Sequence, residues 1–306
     1  MKRSQYKKKS KKSWIKGLLV IVLLLMAGSG AFIYSIYHNA KQTVANKITQ
    51  PVDSIDTTIG KKKVKDQEPL NVLLLGVDER ENDAGRSDAM MVLSLNPKQD
   101  SMELVSIPRD TRAEIVGKGT EDKINHAYAF GGVDMSVNTV EKFLDIELDY
   151  YVRLNMEGLT ELVGAVGGIT VDNEIEFTRK GYHYPLGEIQ LSQEETLDYV
   201  RMRKQDPNGD FGRNERQRKV IKGIIDKGAS IGSVSKIDDI VQVLGNNMAS
   251  NMDFEDMQNL LLNYRDTRKN VTTYQMQGSG TKIDGIYYYV INDEEIDKVK
   301  EMINSN

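Results

Sequence analysis

The sequence predicts an α/β domain, a mixed central β-sheet between two helical layers, preceded by a single N-terminal transmembrane helix. Three observations predict it. Residues 17–37 hold no charged side chain and follow a strongly basic head. The run 71–77, NVLLLGV, is continuously apolar, as a strand buried on both faces must be. Beyond it, strand-length apolar runs alternate with longer stretches of helical period, the pattern of helices layered on a sheet.

The net charge of −4 is unevenly placed. Residues 1–16 carry eight Lys or Arg and no acid, which leaves 33 basic against 45 acidic residues, or −12, for the remainder. At ~1.5 Å per residue, the uncharged segment 17–37 reaches roughly 30 Å, the thickness of a bilayer core. Cations ahead of a span hold the N-terminus in the cytoplasm, so the body is exported. A cleaved signal peptide is the rival, with small residues at Ala27-Gly28-Ser29-Gly30-Ala31, but apolar character continues through Phe32-Ile33-Tyr34 beyond any such cut. The chain thus divides into a cytoplasmic head (1–16), a signal-anchor (17–37), a polar extracytoplasmic linker (38–69) and a folded domain (70–306). With no cysteine there is neither a disulfide nor a thiolate metal site. The acidic body argues against a nucleic-acid partner.

Within the domain, strands are expected at 71–77, 89–95 and 102–107. Short connections, one of them a turn at Asn96-Pro97-Lys98, make these an up-down-up meander. Helices are expected at 133–144 and 156–166 around a strand at 150–154, then at 192–200, 211–227, 236–246 and 254–264. Strands at 271–276 and 286–291 precede a last helix. Ser192 and Glu195 have capping-box spacing.

The meander brings Asp78, Asp88 and Arg109 to one rim of the sheet, with Arg86 between the two aspartates. Carboxylates suit a hard divalent cation, and guanidinium forks suit phosphate oxygens; ordinary surface ion pairs remain the alternative. A second basic cluster comprises Arg201 and Arg203 in YVRMRK, then Arg213, Arg216, Gln217 and Arg218 in FGRNERQRK. Counting back along the helix from Val220 and Ile221 puts Gln217 and Arg213 on the inward face and turns Arg216, Arg218 and Lys219 elsewhere. An inward arginine needs an anion, either a bound phosphate or an internal carboxylate. The G-x-S-x-G match at 228–232 follows a helix and has no downstream histidine, so it is no hydrolase elbow.

Together LLLGVD, GRSDAMM, SIPRDT, AVGGITVD, YVRMRK and FGRNERQR, in this order, resemble the LytR-CpsA-Psr family. The resemblance implies a phosphotransferase. It would move a phosphate-linked glycopolymer, wall teichoic acid above all, from an undecaprenyl-pyrophosphate carrier to a muramic acid hydroxyl of peptidoglycan. A pyrophosphohydrolase, or a non-catalytic lipid-binding regulator, is the alternative. Carried over residue by residue, the resemblance gives Asp78 and Asp88 as ligands of Mg²⁺ (or Mn²⁺). Arg86, Arg109, Arg201, Arg203, Arg213 and Gln217 become pyrophosphate-binding residues, and Asp78, Arg109 and Arg213 the catalytic ones. The general base is open among Asp78, Asp110 and Asp206.

Overall fold

The computed structural model describes residues 31–77, 85–228 and 234–306. Asp78 and most of the expected anchor therefore lie outside the described residues. Among the described residues no helix is long and apolar enough to cross a membrane. Helix α1 (31–43) opens with Phe32, Ile33 and Tyr34 exposed, then buries Ala40. It runs into a π turn, Val44–Ile48, that also packs inward.

The segment expected to be a linker is folded onto the domain. Asp56 caps helix α2 (Thr57–Asp66) by accepting from the Thr58 N–H, and Val64 is buried against the sheet. Lys63 reaches the buried Asp149 carboxylate at 2.7 Å. The lysine run hid this helix, because only Gly60 and Val64, one turn apart, point inward. A Cβ on Gly60 would lie 2.8 Å from the Tyr150 ring, so that position admits no side chain.

Strands β1 (Leu70–Val77), β2 (Ser87–Asn96) and β3 (Ser101–Ser106) form the expected antiparallel meander. A short hairpin, β4 (Arg112–Ile115) with β5 (Thr120–Lys123), precedes α3 (His126–Leu144). Helix α3 begins before the expected Val133 and breaks at Gly131 and Gly132, the latter at φ 62°. Strand β6 (Tyr150–Asn155) runs parallel to β1. Then follow α4 (Met156–Ala165), β7 (Ile169–Asn173), β8 (Phe177–Arg179), β9 (Tyr182–Tyr184) and β10 (Gly187–Leu191). Helix α5 (Gln193–Arg201) starts at the Ser192–Glu195 capping box. The chain continues through α6 (Asp210–Gly228), α7 (Val234–Asn247), β11 (Met248–Ser250), α8 (Phe254–Asn263) and β12 (Asn270–Gln275). It ends with hairpin β13 (Ser279–Ile283) and β14 (Ile286–Val290), then α9 (Asp293–Ser305).

The central sheet has six strands in the order β11-β6-β1-β2-β3-β12 and is mixed, β12 lying parallel to β3. Leu73, Leu75 and Val77 of β1 face α3 and α9, whereas Leu70 and Val72 face α2, α8 and α6. Both faces are covered, which is why β1 reads as unbroken apolar sequence.

Helix α6 departs from its expected phase. Ile221 and Ile225 join the core beneath the sheet, while Val220 and Ile224 join a second core with α4, α5 and β7. A helix wedged between two cores has two inward faces, so a single-stripe argument fails. Arg216 and Arg218, expected outside, are 5% and 8% exposed. Arg216 donates to the Asp206 carboxylate and to the Tyr199 and Met202 carbonyls. Arg218 donates to Ser106 Oγ and Gln275 Oε1, both at 2.9 Å, and burial draws its pKa down. A Cβ on Gly212 would lie 1.8 Å from Asp206 Oδ2, so the carboxylate reaches Arg216 only across a glycine.

Arg216→Ala strands the buried Asp206 carboxylate and is expected to lower unfolding free energy by about 3–5 kcal/mol. Urea denaturation of the variant checks this; a loss below ~1 kcal/mol would show that the pair does not hold the α5–α6 connection.

Candidate anion-binding site

Two chain reversals bring the site together. The meander carries Asp88, at the start of β2, and Arg109, just after β3, to the same sheet edge, where Arg109 Nη1 donates to Asp88 Oδ1 at 2.8 Å. The loop from α5 then turns at Asp206-Pro207-Asn208-Gly209. Asp206 Oδ1 accepts from the Asn208 N–H, and Gly209 adopts φ 56°, a left-handed value that glycine takes without strain. This turn sets the first residue of α6, Asp210, beside the Arg109–Asp88 pair.

Asp210 is the hub. Its carboxylate lies 3.1 Å from Arg213 Nη2, 3.5 Å from Arg109 Nε and 3.8 Å from Arg203 Nη1. Arg213 Nη2 also donates to the Asp88 carbonyl at 3.3 Å. Alongside, Lys123 Nζ pairs with Asp110 at 2.7 Å, and Arg109 Nε stands 3.8 Å from the same carboxylate. Among the described residues, four cationic groups thus meet three carboxylates at this edge.

The surplus falls on Arg213, which is 9% exposed. Burial pulls its pKa below the ordinary arginine value; Asp210 opposes this, and the neighbouring Arg109 and Arg203 charges add to it. Arg109 goes the other way: burial would lower it, but Asp210 and Asp88 together hold it above the usual value. Arg213 Nε has no hydrogen-bond partner among the described residues, and neither does Gln217 Oε1 one turn further on. A buried guanidinium with an idle donor, an excess of positive charge and the N-terminus of a 19-residue helix all favour a bound anion.

Of the residues singled out in the sequence, the structure gathers Asp88, Arg109, Arg203 and Arg213, with Gln217 buried behind them. Arg86 is exposed immediately before β2, and Arg201 is exposed at the end of α5. The extended Met202 between Arg201 and Arg203 is buried, as a two-residue alternation requires. Asp206 is no candidate base, because its carboxylate is spent on Arg216 in the core. Asp110 is engaged by Lys123. Sequence reasoning missed Asp210 and Lys123. Asp210 carried a legible signal, since it precedes Arg213 by three residues on one helix.

For a divalent cation, Asp88 is the described donor, and its Oδ1 already accepts from Arg109. Among the described residues no group of three or more His, Asp or Glu is arranged around an ion. Mg²⁺ commonly takes one or two carboxylates and completes its shell with water and phosphate oxygens, and the described residues offer it one, Asp88.

The LytR_cpsA_psr family profile matches residues 32–305. The chain is 45% identical over 307 residues to the polyisoprenyl-teichoic acid–peptidoglycan teichoic acid transferase TagU of Bacillus subtilis (strain 168), covering 98% of each chain. The crystal structure of B. subtilis TagU superposes with a TM-score of 0.63 at 42% identity, over 78% of this chain and 96% of that one. A structure of TagT bound to LIIa-WTA gives a TM-score of 0.67 at 30% identity, over 85% and 96%. A match over nearly the whole described chain, together with a shared fold, leaves one conclusion: the chain belongs to the LytR-CpsA-Psr family.

Proposed function

We propose that this protein is a membrane-anchored phosphotransferase that moves wall teichoic acid from an undecaprenyl-pyrophosphate carrier to a muramic acid hydroxyl of peptidoglycan, outside the cytoplasm. One observation carries the reading. Among the described residues Arg213 is buried beside Arg109 and Arg203, the three share the Asp210 carboxylate, and the Arg213 Nε has no partner. A pyrophosphate supplies the missing negative charge in the fork geometry that arginine favours. The activity for which the B. subtilis relative is named supports the choice of donor and acceptor. The uncharged segment 17–37, leading into the exposed Phe32-Ile33-Tyr34, supports the anchor.

In the proposed reaction the acceptor hydroxyl oxygen attacks the phosphorus that bears the polymer. The bond from that phosphorus to the bridging oxygen breaks, and undecaprenyl phosphate leaves. The hydroxyl proton passes to a carboxylate, for which the sequence offers Asp78, a residue outside the described ones. A phosphodiester joins polymer to glycan. Arg109 and Arg213 hold the phosphoryl oxygens and offset the charge that gathers on them in the transition state, acting from a partly dehydrated site where such contacts are strong. Asp210 holds the guanidiniums in place, and Asp88 orients Arg109. Mg²⁺ or Mn²⁺ bound by Asp88 and Asp78 would add positive charge at the phosphate oxygens.

Product analysis tests the reaction. Full-length protein in detergent, given prenyl-pyrophosphoryl polymer, peptidoglycan fragments and Mg²⁺, is expected to yield polymer covalently joined to the glycan. Polymer released only as a free phosphorylated chain would instead mark a pyrophosphohydrolase. In the same assay, Asp88→Asn is expected to cut turnover by about a hundredfold, as loss of a charge-stabilising group does, and to raise the Mg²⁺ concentration giving half-maximal rate. An unchanged rate and metal response would remove Asp88 from the site.

A further inference from the structure

The β13–β14 hairpin stands outside the central sheet, yet it is fastened to the loop that carries Arg109. The Tyr289 N–H donates to the Asp110 carbonyl at 2.8 Å, and Tyr289 forms a parallel bridge with Thr111. Tyr287 and Tyr289, two residues apart on a strand, share a face. Tyr289 is buried and meets the Phe211 ring edge-on at 5.1 Å. Phe211 directly follows Asp210, so this face runs into the anion-binding site. At the outer end Tyr287 is 43% exposed.

The exposed ring is held in position. Tyr287 pairs across the hairpin with Lys282, and a Cβ on Gly280 would stand 2.7 Å from its hydroxyl oxygen and 2.8 Å from a ring carbon. The ring therefore rests against the Gly280 backbone and stays partly open to solvent. The Lys123 ammonium lies 6.0 Å from the ring centroid and is the same group that pairs with Asp110. Covering a hairpin glycine would account for the ring alone. It does not account for the run from Tyr287 through Tyr289 and Phe211 towards Asp210, or for the Lys123 ammonium near the exposed ring.

We propose that this face is the acceptor subsite, with Tyr287 as a platform for a sugar ring of the glycan strand. The inference rests on the transferase reading above. A pyranose presents a face of C–H groups, which an aromatic ring takes out of water while the hydroxyls at the sugar's edge stay solvated. Lys282, opposite Tyr287 on the hairpin, matches the carboxylates of the peptides that muramic acid carries. Continuity with the site through Asp110 and Phe211 places such a strand where one of its hydroxyls approaches the phosphates at Arg109 and Arg213.

The test compares full-length wild type, Tyr287→Ala and Tyr287→Trp in detergent. Isothermal titration with polymer-free peptidoglycan oligosaccharides is expected to show about tenfold weaker binding for Tyr287→Ala, the scale of losing one aromatic anchor. Tyr287→Trp is expected to stay within about twofold of wild type, because it keeps the platform. In turnover, the acceptor KM of Tyr287→Ala should rise by the same factor while its affinity for the pyrophosphoryl donor is unchanged. Equal glycan affinity in wild type and Tyr287→Ala, or no glycan binding by wild type, overturns the subsite. Failure of the transferase reading looks different: wild type and Tyr287→Trp bind glycan better than Tyr287→Ala, and none of the three joins polymer to it.

Discussion

One carboxylate, Asp210, is shared by three guanidiniums, and this sharing organises the functional edge of the molecule. At Arg213 the attraction of Asp210 is opposed by burial and by the neighbouring Arg109 and Arg203 charges. The most buried of them, Arg213, is left with its charged form disfavoured and one donor idle. Folding tolerates this because the backbone around it is held by other interactions. The Arg109–Asp88 bond fixes the sheet side, and the turn at Asp206–Gly209 fixes the start of α6. Charge left unmatched in a preorganised cluster is free to act on a ligand, and no reorganisation is needed when the ligand arrives.

The arginines of α6 divide by what surrounds them. Arg216 is fully engaged by Asp206 and two carbonyls, and Arg218 by Ser106 and Gln275 at the end of the sheet. These two tie α6 to α5 and to the β3–β12 edge. Arg213, one turn nearer the N-terminus, faces open positive surplus. The same residue type on one helix therefore serves packing at one position and ligand chemistry at another, and the number of carboxylates and carbonyls in reach makes the difference. Gly212 is part of the arrangement, since any side chain there would displace the carboxylate that neutralises Arg216.

Much of the fold was legible in the sequence because its signals are local. The unbroken apolar run of β1, the short turn between β2 and β3 and the Ser192–Glu195 capping box each act within a few residues, and each formed as expected. The strand order alone was enough to bring Asp88 and Arg109 together. What escaped depends on tertiary context. The lysines of α2 masked a helix that contacts the core through two positions. The phase of α6 assumed one buried face, and the helix has two. Asp210 went unselected because an acidic residue beside a basic cluster reads as solvated charge until the turn before it is seen to aim it inward. The β13–β14 hairpin gives only a short aromatic run in sequence, and its relation to the site exists solely through the Tyr289–Asp110 hydrogen bond and the Phe211 contact.

The central claim is that Arg213 is kept for an anion and is not an internal ion-pair partner, and melting curves of wild type and Arg213→Met decide it. Methionine fills similar space without the buried charge. The account expects the variant to melt at or above the wild-type temperature in the absence of ligand. Inorganic pyrophosphate, at constant ionic strength and about a hundredfold above its Kd, is expected to stabilise wild type by roughly 2.7 kcal/mol and the variant hardly at all. A variant that loses about 3 kcal/mol or more without ligand, as a broken buried pair does, yet is stabilised by pyrophosphate as much as wild type, would contradict it.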